Sequence, residues 1–522
     1  MNYNKLSYLA IAALGLLLAA CSSDDAFQHA PDATQFGTFS LQVTATGFQS
    51  DTDTRAGNNE LATTFADGDA LGLIITHQDG SVEHVRFQYN GSSWSTSDAS
   101  YYDPEDTYAA YFPYQESLLG KSLDEVKTAC KPLTDQSDYS GGYLTSDLLV
   151  CSSATFQAVD GKRVLPVSFT HAYALLRTPV AAPCKGSDGM SGDETEYIYG
   201  ASVSERIFMI DGTPCRPWID GDGYARLIVE NKAGDCHISS HYTLKGQRFT
   251  SDVTINTPAS GQCYTVKHPA FDIGVYGLDK AQVGDFYCRN SSSNKGYLIP
   301  GDAVTLPADA NPVGIVYWVG NPANGTDGDP LLGTKEHHPD CTHGLVVALH
   351  DASTSNYLWS SSNEDITNEW LSKQSGNPYI ITTLKTENKM QGYANTKALK
   401  GYNAAKGDGS NLRVLPIDLI GTYATTHPAP VNSSGWYFPS VMELKYVCWG
   451  QQNGSGTSGR DYLNTNISKV GGILFGGYYW SSTEYSNDSR KAWYVNFGDG
   501  GVDNYFGGKS SSTYCVRPLL AF

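Results

Sequence analysis

The chain has 522 residues and a formal net charge of −19, from 35 Lys and Arg against 54 Asp and Glu. This acidic excess, without a basic stripe to neutralise phosphates, excludes a nucleic-acid-binding protein. A chain of this length usually needs more than one hydrophobic core, so we expect two or three domains. Its 53 Gly and 34 Tyr beside only 5 Met are typical of an exported protein rich in β-structure.

The N-terminal residues predict a lipoprotein signal peptide over 1–20. One cation, Lys5, precedes an apolar stretch that runs to Ala20, and small residues lead up to Cys21. In this layout the signal is removed and the cysteine is acylated. The acidic residues just after Cys21 resemble the surface-export tag of Bacteroidetes lipoproteins. We therefore expect a lipid anchor in the outer membrane, with the protein exposed at the cell surface, and no later segment is apolar enough to span a bilayer.

Ten of the 11 cysteines follow Cys21, and an even number in an exported chain permits disulfides. They are Cys130, Cys151, Cys184, Cys215, Cys236, Cys263, Cys288, Cys341, Cys448 and Cys515. None has C-x-x-C spacing, so zinc-ribbon and thioredoxin-like interpretations lose their main support. The pairing itself cannot be deduced from the sequence.

Alternation of apolar and polar residues predicts half-buried strands through the first half of the chain. Residues 38–46 show it with Phe39, Leu41 and Val43, and residues 85–89 show it before an Asn-Gly turn. Further strand patterns lie at 108–114, 165–180 and 248–255. Helical signal is confined to a short piece around SLDEVKTAC, so we expect a β-sandwich region made of two subdomains.

The order of these pieces resembles a known family. Thr54-Arg55-Ala56 is followed by FADGDALGLIIT, VRFQYNGSSW, DTYAAYFPY and VSFTHAYALL. This series resembles the fimbrillin-like lipoproteins of Bacteroidetes, which make the stalks, anchors and tips of type V pili. The resemblance covers roughly the first half of the chain. It implies a pair of transthyretin-like β-sandwiches over 56–277, preceded by a lipidated segment over 21–55.

The same resemblance implies proteolytic processing, with Arg55 at the matching position. Removing the strand before the cut would open a groove that accepts a strand from the next subunit, which is a form of β-augmentation. The implied partners are other fimbrillin subunits, bound by donor-strand exchange. The alternative is that Arg55 lies in an ordinary polar segment, SDTDTRAGNNE, and is not cut.

The second half of the chain carries a different series of motifs. In order they include NPVGIVYWVG, GWYFPSVMELKYV, YYWSSTE, AWYVNFGDG and CVRPLLAF. This series resembles the C-type lectin-like domain of Bacteroidetes surface proteins, related to the Fibrobacter paralogous domain group, over 281–522. The resemblance implies an α+β domain of small twisted sheets and two helices, so the expected fold class of the whole chain is mainly β. GYNAAK and PSVMELKYVCWGQQ fit helices, the second with Ser440 as N-cap and Glu443 three residues on.

A polar and aromatic stretch near the C-terminus predicts a ligand-binding surface. In KAWYVNFGDG, Trp493, Val495 and Phe497 alternate with Tyr494 and Asn496, so we expect one buried face and one face open to solvent. Tyr offers a large contact area at low entropy cost, and Asn, Ser and Gly offer adaptable hydrogen bonds. The residues expected to contact a ligand, most of them in loops, are Tyr485, Asn487, Asp488, Ser489, Tyr494, Asn496, Asp499, Asp503, Asn504 and Tyr505.

Together these features predict a surface adhesin, a tip or accessory subunit of a type V fimbrium. Its lectin-like domain would bind a glycan or protein of a host or bacterial surface. Two alternatives stay open: a glycan-capture surface lipoprotein, and a receptor outside a pilus whose C-terminal region is diversified by a retroelement. A third interpretation is that the polar residues only close strands.

Metal binding has weak support, and no motif predicts a cofactor. The weak candidates for metal ligands are His337, His338, Cys341 and His343, within seven positions of one another, but their spacing matches no standard zinc motif. The calcium and sugar motifs of animal C-type lectins do not occur. Asp220 and Asp222 predict a hairpin turn, because the other ligands of an EF-hand loop are missing.

Enzyme motifs are also missing from the sequence. It contains no nucleophile elbow, metalloprotease helix, P-loop or dinucleotide fingerprint. Formylglycine-generating enzymes share the lectin-like fold, but Cys448 and Cys515 do not stand in the context that those enzymes need, and fold kinship does not carry activity. We therefore expect no enzymatic activity, although a hydrolase that uses two carboxylates stays open.

Overall fold

The structure is a computed structural model that describes residues 39–50, 61–97, 103–190, 194–231, 235–244, 247–256, 258–267, 269–376, 378–505 and 507–522. The predicted signal peptide, Cys21 and Arg55 lie outside these residues. Strands account for 35% of the described residues and helices for 18%, which confirms the expectation of a mainly β protein. Within the ranges given above, no helix has both the length and the apolar character needed to cross a membrane.

The described chain up to residue 275 is built almost entirely of strands. They are β1 (Ser40–Ala45), β2 (Gln49–Ser50), β3 (Ala70–Thr76), β4 (Val82–Tyr89), β5 (Trp94–Ser95), β6 (Thr107–Phe112), β7 (Leu149–Ala154), β8 (Gln157–Val159), β9 (Lys162–His171), β10 (Ala174–Pro179), β11 (Ala182–Ser187), β12 (Glu196–Ala201), β13 (Ser204–Ile210), β14 (Thr213–Cys215), β15 (Trp218–Ile219), β16 (Tyr224–Val229), β17 (Asp235–Leu244), β18 (Gln247–Asn256), β19 (Gln262–Thr265) and β20 (Phe271–Val275). Each strand pattern identified in the first half of the sequence lies on one or two of these strands. Those local predictions are therefore confirmed.

The rest of the chain adds shorter sheets and the longer helices. Its strands are β21 (Phe286–Arg289), β22 (Gly296–Ile299), β23 (Ala303–Thr305), β24 (Pro312–Val319), β25 (Gly344–Ala348), β26 (Tyr357–Leu358), β27 (Tyr478–Glu484), β28 (Ala492–Asn496), β29 (Val502–Asp503), β30 (Thr513–Tyr514) and β31 (Leu519–Ala521). The α-helices among the described residues are α1 (Leu123–Ala129), α2 (Leu144–Ser146), α3 (Gly392–Lys406), α4 (Leu415–Thr426), α5 (Val441–Trp449) and α6 (Ser458–Lys469). Single turns of 3₁₀ or π type lie at Glu116–Leu118, Tyr139–Tyr143, Leu278–Lys280, Ile366–Trp370 and Leu371–Lys373.

Local capping explains where two of these helices begin. Ser122 and Glu125 form a capping box at α1, and Ser440 and Glu443 form one at α5. Each box satisfies backbone N–H groups that have no partner inside the helix. Both helices, and the helix expected at GYNAAK, are confirmed. Three further helices, α2, α4 and α6, were not predicted from the sequence.

The first of two compact units comprises the described residues up to 47, those from 61 to 131 and those from 148 to 172. Its sheet has the order β1-β9-β7-β6-β3-β4-β5, with β8 also paired to β9. β1 pairs in parallel with β9, whereas the other pairs of this sheet are antiparallel. Leu41 and Val43 of β1 pack on a core whose members include Leu71, Val167 and Phe169.

The second unit comprises the described residues of 48–57, 132–147 and 173–522. Its larger sheets have the orders β15-β16-β10-β19-β2, β20-β11-β12-β23, β14-β13-β17-β18 and β22-β21-β24-β25-β31. β12 pairs with β23, and one buried cluster includes residues from Ala182 to Phe522. Within this unit, strand pairing and core packing therefore continue across the position near 281 where the sequence predicts a domain boundary. That boundary stays a prediction.

The segment WIDGDGYARL forms the expected hairpin turn between β15 and β16. Asp220 Oδ1 accepts hydrogen bonds from the backbone N–H groups of Asp222 at 3.0 Å and Tyr224 at 2.7 Å. Its other oxygen lies 2.5 Å from Arg226 Nε in a nearly buried ion pair. Asp220 thus stabilises a turn, and the prediction of a hairpin at this position is confirmed.

Nine cysteines whose side chains the structure describes lie outside disulfide bonds. These are Cys130, Cys151, Cys184, Cys215, Cys263, Cys288, Cys341, Cys448 and Cys515, and only Cys515 is not fully buried. Burial raises the pKa of the Cys341 thiol to about 12 and that of Cys448 to about 12. These thiols therefore stay protonated and pack as small apolar side chains.

Candidate ligand-binding site

The C-terminal stretch predicted to bind a ligand forms a three-stranded antiparallel sheet of β27, β28 and β29. Tyr478 pairs with Asn496, Trp480 with Tyr494, and Tyr494 with Asp503. Residues directly opposite one another in a sheet share a face. These five side chains therefore lie on one face, which we call the outer face.

The opposite face of this sheet is anchored in the protein core. Tyr479 and Val495 are opposite one another on that face and are buried. The ring of Phe497 lies 4.7 Å from that of Phe475 and 4.9 Å from that of Tyr479. The sequence alternation thus predicted correctly which residues share a face.

The expectation that Tyr494 faces solvent is wrong, because its side chain is only 3% exposed. Its ring is covered by Tyr514 of β30 at 4.8 Å and Tyr478 at 5.7 Å. Alternation identifies the face of a strand but not whether a distant segment covers it. The ring that reaches solvent is Tyr478, which is 46% exposed and stacks on Tyr514 at 5.1 Å.

Several predicted ligand contacts meet at one end of β28. Tyr485, Asn487, Asp488 and Ser489 lie in the loop from β27 to β28, and Asn504 and Tyr505 follow β29. The two segments approach each other where Lys491 Nζ lies 5.4 Å from the centre of the Tyr505 ring. Tyr505 is 68% exposed. This end of the sheet therefore offers an aromatic ring and a cation side by side.

Asp488 serves mainly to shape its loop. Its carboxylate accepts hydrogen bonds from Arg490 Nε at 2.9 Å and from a terminal guanidinium nitrogen at 3.0 Å. These bonds from Arg490 lower the pKa of Asp488 to about 2. The ring of Tyr485 meets the ring of Trp493 edge-on at 5.5 Å. The loop is thus ordered by its own side chains.

Asn496 and Asp499 lie at the opposite end of β28, away from the loop of Tyr485. Asn496 Oδ1 accepts a hydrogen bond from Gly498 N at 2.9 Å, and Asp499 Oδ1 accepts one from Gly501 N at 2.8 Å. Asp503, which lies in β29 rather than in a loop, accepts from Tyr505 N at 2.9 Å. Each side chain uses one oxygen to hold a turn, so the structure separates the ten predicted residues into two ends joined by the outer face.

The motif WSSTE is a buried support beneath this surface. Glu484 and Lys509 are fully buried, with 2.5 Å between Oε1 and Nζ. Glu484 also accepts hydrogen bonds from the backbone N–H groups of Ile366 at 3.0 Å and Thr367 at 2.9 Å. Because Lys509 belongs to the segment after β29, this ion pair fixes that segment against β27.

The segment Val516-Arg517-Pro518, which belongs to the last motif of the lectin-like resemblance, is buried too. Arg517 Nε lies 2.7 Å from Asp351 Oδ1, close but poorly aligned for a hydrogen bond. The guanidinium donates to the carbonyl oxygens of Ala348 at 3.2 Å and Ile473 at 2.8 Å and lies over the ring of Phe475. The motifs that carry the lectin-like resemblance therefore build the framework, and the loops between them form the surface.

The weak metal candidates do not form a common site. The rings of His337 and His338 lie near Tyr393, whereas His343 stacks on Phe522 at 6.4 Å. Cys341 is buried, with its Sγ 3.4 Å from the carbonyl oxygen of Ala521. Among the described residues, no group of three His, Cys, Asp or Glu side chains is arranged to hold a metal ion.

Two buried acids of the same unit have raised pKa values. Burial raises the pKa of Asp329 to about 6 and that of Glu443 to about 7. Glu443 accepts hydrogen bonds from Ser440 N at 2.7 Å and from the hydroxyl of Tyr437 at 2.8 Å. These hydrogen bonds hold the carboxyl group of Glu443 in place, but they do not compensate fully for its loss of contact with water.

These acids predict a pH dependence of stability. A raised pKa in the folded state means that the folded protein holds these protons more tightly than the unfolded chain does. The stability that the protonated acids provide is therefore fully present below about pH 4 and is lost as the pH rises to about 7. We expect the unfolding free energy of Glu443→Gln, relative to wild type, to rise by roughly 2 kcal/mol over that range. Urea unfolding at several pH values measures it, and a pH-independent difference would contradict the assignment.

Comparison with known proteins gives likenesses that extend over nearly the whole chain. No protein-family model matches the chain. A Bacteroides ovatus protein named "Putative fimbrium tip subunit Fim1C" is 27% identical over an alignment of 568 positions, which covers 100% of both chains. A crystal structure of a fimbrial protein from Bacteroides ovatus is 24% identical, covers 94% of this chain and all of that chain, and has a TM-score of 0.38. The chain is thus similar, from end to end, to a protein named as a fimbrium tip subunit.

Proposed function

We propose that the chain is a cell-surface adhesin, a tip or accessory subunit of a type V fimbrium. The observation that carries this proposal is its full-length likeness to a protein named as a fimbrium tip subunit. In this proposal Cys21 anchors the precursor in the outer membrane by a lipid. A transthyretin-like region makes the assembly contacts, and a lectin-like region binds the ligand without catalysing a reaction or using a cofactor.

The proposed ligand surface is the accessible part of the outer face, formed by Tyr478, Asn496 and Asp503, together with the loop end that carries Lys491 and Tyr505. Its exposed rings, Tyr478 and Tyr505, supply contact area, and Asp503 and Asn496 supply hydrogen-bonding groups beside them. The buried ion pair of Glu484 and Lys509 holds the segment after β29 against β27. The entropy cost of ordering this surface on binding is therefore small. A glycan or a protein of a host or bacterial surface is the proposed ligand.

The N-terminal strands support the proposal of assembly by strand exchange. β1 and β2 both precede Arg55, and each pairs in parallel with a strand that follows it, β9 and β19. A cut after Arg55 would leave both strands held only by non-covalent contacts. Their loss would uncover the edge of β9 and the apolar residues under Leu41 and Val43, a surface that a strand of another subunit could cover. A chain that stays uncut in cells would instead favour the glycan-capture lipoprotein.

The ligand surface is tested by binding to glycan and surface-protein arrays. We expect Tyr478→Ala and Tyr505→Ala each to weaken binding of the full chain about tenfold or more, because exposed Tyr anchors often dominate an interface. Tyr462→Ala is the matched control, since Tyr462 is 51% exposed on α6, outside the outer face. Binding that is unaffected by both changes in folded protein would reject this surface.

A further inference from the structure

A groove of about 510 Å³ lies between α3 and α4, outside the proposed ligand surface. One wall is the face of α3 that carries Lys400, Asn403 and Ala404, which are spaced three and four residues apart as neighbours on a helix are. The other wall is the face of α4 that carries Ile417 and Gly421. The groove is shallow and open to solvent.

A network of charged groups forms part of the lining of this groove. Arg413 donates to both carboxylate oxygens of Asp418, at 2.8 Å from Nε and 2.5 Å from a terminal nitrogen. It also donates to Asp408 at 3.0 Å and to the carbonyl oxygen of Asn403 at 3.2 Å. Because Arg413 holds both oxygens of Asp418, that carboxylate is positioned before any ligand arrives, whereas Asp408 is fully exposed to solvent.

The balance of charges and hydrogen-bonding groups indicates the class of ligand. Two cations, Lys400 and Arg413, face two anions, Asp408 and Asp418, so the formal charges of the lining cancel. The carboxylates have oxygen lone pairs left to accept hydrogen bonds, and Lys400 has no ion-pair partner among the described residues and can donate.

Apolar and hydroxyl groups complete the lining. Ala404 is exposed and offers apolar surface, whereas Ile417 is only 4% exposed. Thr422 and Thr425 add hydroxyl oxygens on α4. Both threonine hydroxyls already donate to backbone carbonyls, at 3.1 Å and 2.7 Å, so towards the groove they act as acceptors. A ligand that suits this lining carries many hydroxyl donors, no net charge and a face of C–H groups. We propose that the groove binds a neutral hexose unit of a glycan, independently of the outer face.

The test is saturation-transfer NMR on the full chain with glucose, galactose, mannose and N-acetylglucosamine, and with glucuronate as the charged comparison. We expect at least one neutral hexose to bind and Gly421→Phe to weaken its binding at least tenfold. Gly421 lines the groove, and no heavy atom lies within 4 Å of an added Cβ, so the new ring can occupy the groove. Lys400→Met is the second variant, with an expected loss of at least threefold, and Tyr478→Ala should leave this binding unchanged.

The outcomes separate this site from the outer face. No binding of any neutral hexose at millimolar concentration, or binding equal in wild type, Gly421→Phe and Lys400→Met, would overturn the proposal. Preference for glucuronate would overturn the neutral ligand class. If Tyr478→Ala lost hexose binding while Gly421→Phe kept it, the sugar would be placed on the outer face instead.

Discussion

Lys509→Met is expected to lower the free energy of unfolding by about 3–5 kcal/mol. Lys509 is fully buried, and its Nζ lies 2.5 Å from Glu484 Oε1 and 2.9 Å from the carbonyl oxygen of Glu364. Met fills a similar volume but leaves the Glu484 carboxylate buried without its counter-charge. Urea unfolding followed by tryptophan fluorescence measures the effect, because Lys509 lies over the ring of Trp359.

Two further variants identify the cause of this destabilisation. The double variant Glu484→Gln, Lys509→Met is expected to be more stable than the sum of the single effects predicts, because the unpaired charge is gone. Lys373→Met, at an exposed lysine, is expected to change stability by less than about 0.5 kcal/mol. Equal midpoints for Lys509→Met and Lys373→Met would show that the buried pair does not stabilise the fold.

Features that depend on neighbouring residues could be predicted from the sequence. The capping box of Ser440 and Glu443 is a signature of four residues, and it marks the start of α5. The shared face of Tyr494 and Asn496 follows from the two-residue period of a strand. The hairpin at Asp220 depends on turn residues that stand together in the chain. In each case the interaction that decides the structure lies within a few positions.

Features that depend on distant residues could not be predicted in this way. The burial of Tyr494 is caused by Tyr514, twenty positions later and on another strand. The partner of Glu484 is Lys509, and no spacing rule links the two residues. α6 was missed because its sequence is mostly polar and buries only Leu463, Asn466 and Ile467. Tyr478 was missed as a surface ring because its exposure depends on how β30 lies beside it.

Gly392→Ala is expected to destabilise the fold by about 2–4 kcal/mol, because the new methyl group has no room. Gly392 is the first residue of α3, and a Cβ there would lie 2.2 Å from Glu443 Oε2 and 2.8 Å from Ser440 N. That oxygen cannot move freely, since it accepts hydrogen bonds from Ser440 N at 2.7 Å and Ser440 Oγ at 2.8 Å. The substitution must therefore displace α3 or break the capping box of α5.

A second glycine, in α4, separates this steric effect from the general effect of replacing glycine in a helix. Gly421 is exposed, and no heavy atom lies within 4 Å of a Cβ added there. Gly421→Ala should therefore stabilise the protein by roughly 0.5–1 kcal/mol, since alanine loses less backbone entropy on folding. If urea unfolding showed a lower free energy of unfolding for Gly392→Ala and a higher one for Gly421→Ala, the loss of stability at Gly392 would be attributed to its contact with Glu443. If Gly392→Ala were as stable as Gly421→Ala, the close approach of α3 to the cap of α5 would be wrong.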